Sequence, residues 1–92
     1  GDLSILCQIF KSSRKQEMYL YVEKNRGVAD VPLDLMERFG EPLEVMSLVL
    51  SSDKKLARAK ASDVLQAIAN QGYYLQMPPT PAQILRRDGS GA

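Results

Sequence analysis

Side chains able to do bond-making chemistry are scarce in this 92-residue sequence, and histidine is missing altogether. Without an imidazole there is no Ser-His-Asp or Cys-His arrangement, and the commonest metal ligand is gone. A single cysteine, Cys7, leaves a structural zinc site far short of its four ligands. Cys7 would become a nucleophile if nearby cations stabilised its thiolate. It lies between Ile5 and Ile9 in an alternating run, where the ordinary role is that of a small buried hydrophobe. Ser12-Ser13 beside Lys15 has the residue types of a serine–lysine pair, but it is a turn sequence first. Asp34, Glu37, Glu41 and Glu44 lack the spacing of a magnesium site and read as a solvated helix face and loop. No glycine-rich phosphate loop is present. The expectation is a protein that is not an enzyme and carries no cofactor or metal.

Binding chemistry has more to work with. Lys11, Arg14 and Lys15 cluster in one basic stretch, with Phe10, Tyr19 and Tyr21 close by in sequence. Lys54, Lys55 and Arg58 form a second basic group. If both met on one face, cations would grip a phosphate backbone and a tyrosine would stack a base, as an RNA-associated domain requires. Neutralising about three phosphates on a single strand would give log affinity a slope near −2 against log salt. The plainer reading is that these cations solubilise loop tips and guard strand ends, while the tyrosines fill the interior. The other candidate surface is apolar: Tyr74 and Met77 beside Pro78-Pro79, at a sheet edge able to accept a peptide strand from a protein partner. Alternatively, the two prolines simply turn the chain so that Ile84 and Leu85 close the core.

These groups must be positioned by a small set of elements. Residues 5–10 and 17–23 alternate as two strands around a basic, serine-containing link, and together predict a β-hairpin with a mobile charged tip. Apolar residues on both faces of each strand argue for a sheet covered on two sides. Pro32 opens a helix over 32–39 with Leu35, Met36 and Phe39 inward, closed by Gly40 and Pro42. Residues 45–50 predict a third strand, placed centrally because both its faces are apolar. Residues 54–60 are ambiguous, and Ser62-Asp63 looks like a fresh cap for a second helix over 63–71 with Leu65, Ile68 and Ala69 inward. Residues 73–77 alternate as a fourth strand, ended by Pro78-Pro79. Thr80-Pro81-Ala82-Gln83 announces a last short helix, and 88–92 read as a disordered Gly/Ser tail. The order is β-β-α-β-α-β-α.

Bulk properties agree with one domain over 4–87. The chain is 45% hydrophobic and 25% charged, in the range of ordinary globular proteins. A formal charge of +1 argues for no whole-molecule attraction to nucleic acid or membrane. The charge is segregated, however. Between 28 and 53 there are six acids against Arg38 alone, and the next stretch is purely basic. A lone thiol suits a reducing cytoplasm. Apolar runs fall far short of the ~20 residues of a membrane helix. An acid at Asp2 does not suit a signal peptide, and the missing initiator Met points to processing at Gly1 and its neighbours.

Four blocks of residues carry a resemblance. They are Tyr19-Leu20-Tyr21-Val22-Glu23-Lys24, Val31-Pro32 through Phe39-Gly40-Glu41-Pro42, Lys54-Lys55-Leu56, and Gln71-Gly72-Tyr73-Tyr74-Leu75-Gln76-Met77-Pro78-Pro79. From about Ile5 to Pro79 the chain resembles the bacterial YcgL domain family, and the last block is the most specific. The resemblance implies a small cytosolic α/β/α sandwich and no activity or catalytic residue to carry over. With the sequence order above, the expected fold is α/β with a mixed four-stranded sheet, monomeric or weakly associating. The leading functional expectation is a non-enzymatic protein-binding module, and the alternative is an RNA-associated accessory domain.

Overall fold

The structure, a computed structural model, describes residues 4–56 and 59–78. The final helix expected after Thr80, the tail over 88–92, Gly1 and Arg58 lie outside the described residues. The described elements are β1 (Ser4–Lys11), β2 (Tyr19–Glu23), α1 (Leu33–Phe39), β3 (Leu43–Ser51), α2 (Ala61–Gln71) and β4 (Tyr73–Gln76).

The strands form one sheet in the order β3-β1-β2-β4. Every neighbouring pair is antiparallel, so the expected mixed sheet is corrected. The two linking segments that contain helices do not join adjacent strands. The α1 connection carries the chain from β2 across β1 to β3, and α2 carries it from one edge of the sheet to the other. Strands so joined have one or two strands between them, which is how α-linked strands coexist with an antiparallel sheet.

Alternation along β1 and β2 sends apolar side chains to both faces. Cys7, Ile9 and Tyr21 form one cluster with Leu50 and with Ala61, Val64 and Ile68 of α2. Met18, Leu20 and Val22 form the opposite cluster with Val31 and with Phe39 of α1. The α2 stripe is therefore 61, 64 and 68, with Leu65 half-buried. Ala69, expected inward, is exposed, and the helix begins at Ala61 with Lys60 as its cap instead of at Ser62-Asp63. The buried face runs through 61, 64 and 68 at i, i+3 and i+7, and Ala69, one residue on from Ile68, turns about 100° away from it. In the ambiguous stretch before it, Lys55 and Lys60 form an isolated antiparallel bridge.

The largest correction concerns β3. It is nine residues long and lies at the edge of the sheet, with β1 as its one neighbour among the described residues. Leu50 is fully buried and Leu48 half-buried beneath α2, but Leu43, Val45, Met46 and Val49 are exposed. Apolar side chains on both faces of β3 do not make it central, and none of them joins the cluster that α1 covers. A bulge between β1 and β3 at Ile9/Phe10 adds to the irregularity of this edge.

Candidate functional site

The sheet has two ends. Lys11 pairs with Leu43 at one, and Ser4 pairs with Ser51 at the other. The basic β1–β2 loop sits at the first end. Lys54 follows the second end, its amide bonded to the Ser51 carbonyl at 3.0 Å, and Lys55 comes next. The eight residues of β1 set these groups apart by about 24 Å at ~3.4 Å per residue. Lys11, Arg14 and Lys15 therefore do not share a surface with Lys54 and Lys55.

The basic loop is anchored where a mobile tip was expected. Ser12 is buried, and its hydroxyl donates to the Phe39 carbonyl at 2.5 Å while accepting from the amides of Arg14 (3.1 Å) and Lys15 (3.0 Å). The Ser12 amide also donates to the Met18 carbonyl at 2.9 Å. One hydroxyl thus fixes the loop against the end of α1 and turns Arg14 and Lys15 outward. Its signal in the sequence was present, because a serine bonding amides two and three residues on is a standard turn. The bond to Phe39 is long-range and was not legible.

Tyr74 and Met77 belong to opposite faces. Tyr74 packs edge-to-face on Tyr21 with ring centroids 5.7 Å apart, in the cluster beneath α2. The Tyr21 hydroxyl donates to Gln76 Oε1 at 3.0 Å, which satisfies the buried amide. Tyr73 and Leu75 point the other way, toward α1. Met77, 59% exposed, continues on their side.

There it meets part of the basic loop. A cleft of about 360 Å³ opens between the loop, α1 and the end of β4. Its floor is Met18, Leu35, Tyr73 and Leu75, with Met77 and Pro32 at the margin. Among the described residues, Lys15 from the loop and Arg38 from α1 supply its cations, and Asp34 its one acid. Sequence reasoning had selected Lys15 and Met77 separately and had missed Arg38. The i, i+4 spacing of Asp34 and Arg38, which puts both on one helix face, was the available clue.

Among the described residues no group of three or more His, Cys, Asp or Glu side chains could hold a metal ion. Cys7 is fully buried. Burial pushes its thiol from the ordinary 9.0 up to about 11, opposed by a backbone hydrogen bond at Val22. The folded chain therefore keeps the thiol neutral at a pH where the unfolded chain ionises. The stability this preserves is fully present below pH 9 and is lost as pH rises toward 11, a decline on the order of 1–2 kcal/mol. Urea midpoints measured from pH 8 to pH 10.5 should fall more steeply for the parent than for Cys7→Ala. Parallel curves would disprove the assignment.

No helix among the described residues is long and apolar enough to cross a membrane. The model of the YcgL domain matches residues 7–79, a span that contains both the cleft and β3. A YcgL domain-containing protein of Chromohalobacter salexigens is 68% identical over 74 residues, covering 80% of this chain and 77% of the relative. One from Hahella chejuensis is 51% identical over 74 residues, covering 80% and 70%. Protein YcgL of Shigella dysenteriae is 45% identical over 84 residues, covering 91% and 78%. The sequence resemblance and the family match coincide over most of the length, and the chain belongs to the YcgL domain family.

Proposed function

We propose that this domain is a non-enzymatic protein-binding module, an α/β/α sandwich whose open β3 edge receives an extended segment of a partner. The observation that carries the reading is the inequality of the two edges. β4 is four residues long and runs directly toward Pro78, the kind of short, proline-ended strand that discourages further pairing. β3 has nine residues, contains no Lys, Arg or Pro, and exposes Val49 to 59%. Leu6, directly opposite Val49 in the register, is exposed on the same face and widens the apolar surface beside the edge. An edge of this kind offers backbone hydrogen bonds for affinity and alternate side-chain positions for specificity. The position of this surface differs from the candidate patch that the sequence offered, at Tyr74 and Met77. The separation of the two basic segments weighs against the RNA-associated alternative, which needs them on one face.

A photo-crosslinking residue at Ser47, in the middle of β3, tests the reading in bacterial cells, with Gln66 on the exposed side of α2 as the control position. A discrete adduct with another protein is expected from position 47 and not from 66. Val49→Lys should reduce it about tenfold, since a lysine on an edge opposes strand addition. Equal adducts from both positions, none from 47, or an adduct of two copies of this chain would overturn the reading.

A further inference from the structure

The cleft between the basic loop, α1 and β4 is independent of the β3 edge, and its lining has a definite chemical character. The floor combines aliphatic, thioether and aromatic surface from three separate elements. Lys15 and Arg38 flank it, and both side chains are solvent-accessible. Among the described residues the one salt bridge is Arg26 to Asp30 at 2.8 Å, so neither Lys15 nor Arg38 is paired with an acid of that set. Asp34 shares the cleft with them without neutralising either.

We propose that this cleft binds a small organic monocarboxylate with an apolar body, of about ten non-hydrogen atoms, a size set by room for roughly a dozen water-sized volumes at ~30 Å³ each. A volume near 360 Å³ falls at the small end of ligand pockets, which are mostly apolar with a few polar groups that fix orientation. The guanidinium of Arg38 presents a planar fork that matches a carboxylate, and Lys15 adds a point charge. Among the described residues, two cations and one acid leave the lining at +1 (2 − 1), which suits a monoanion better than a doubly charged phosphate. The apolar tail lies over Leu35 and Leu75 toward Met77, whose flexible thioether adapts to either an aliphatic or an aromatic body. Ser12 acts here as a positioning residue: its hydroxyl holds the Lys15 amide and the end of α1 together.

The test is an amide chemical-shift titration of the full chain with octanoate and with 3-phenylpropionate, each up to about 10 mM, a range suited to the weak binding of ligands with so few atoms. Octanamide and acetate serve as controls for charge and for the apolar body. The expected result is saturable shifts from at least one of the two acids, concentrated at residues 15, 18, 34–39 and 73–77. Arg38→Gln and Lys15→Gln should each weaken binding about five- to tenfold, less than a fully buried charged hydrogen bond would because both groups are solvent-accessible. Both substitutions are at the surface, so an otherwise unchanged spectrum reports that the fold is intact. No saturable shift from either acid, equal binding of octanamide, or shifts centred on Leu6 and Val49 would overturn the proposal.

Discussion

Replacing Phe39 with alanine should lower the free energy of unfolding by about 3–5 kcal/mol. Phe39 is the one fully buried side chain of α1, a helix of only seven residues. A helix that short has no stability of its own in water, so its existence depends on the face it buries. Phe39 packs among Met18, Leu20 and Val22, and its carbonyl receives the Ser12 hydroxyl. Truncation would leave a cavity in that cluster and weaken the tie between α1 and the basic loop. Since domains of this size have roughly 5–14 kcal/mol in total, much of the stability would go. Urea unfolding followed by circular dichroism measures the change. A loss below about 1.5 kcal/mol would mean that the cluster closes without this ring and that α1 is held by something else.

The second large effect is expected at Gly72. This residue ends α2 with φ +95°, in the left-handed region, and its amide bonds the Ile68 carbonyl at 2.9 Å. A methyl group here would stand 2.6 Å from the Asp30 Cβ and 2.7 Å from one of its carboxylate oxygens. Gly72→Ala thus combines a backbone penalty of about 1 kcal/mol with an overpacking cost of about 1–3 kcal/mol. The two parts are separable. Asp30→Gly removes the obstructing Cβ, so the double variant should recover the overpacking share and retain the backbone share. Thermal or urea unfolding of both singles and the double gives the coupling, expected at about 1–3 kcal/mol. Additive losses would show that Asp30 moves aside at no cost.

Much of the fold could be read from residue spacing. Alternation in residues 5–10 and 17–23 identified β1 and β2, and Gly40 and Gly72 marked helix ends, as their positive φ values of +80° and +95° require. What spacing could not convey was adjacency. Val45 and Val49 look like core residues in a list of side chains, and only the strand order shows that β1 is the one described strand beside them. The cleft was half legible for the same reason. Lys15 and Met77 stood out individually, yet they meet because β4 is antiparallel to β2 and brings its C-terminal end up to the β1–β2 loop. Tyr74 was grouped with Met77 by closeness in sequence, while the pleat sends it to the other side with Tyr21. Ser12 shows the limit most plainly. Its local turn is written in its neighbours, but the bond to Phe39 spans 27 residues and depends on where α1 docks.

The unequal margins of the sheet also bear on how far assembly can run. Fibres grow when every added subunit presents a fresh surface equivalent to the one just consumed. Here one margin is long and apolar, and the other is four residues ending beside a proline. A segment docked on the long side, as proposed above, would find no matching site opposite among the described residues from which the next unit could continue. The geometry favours a closed, stoichiometric complex over an open-ended stack.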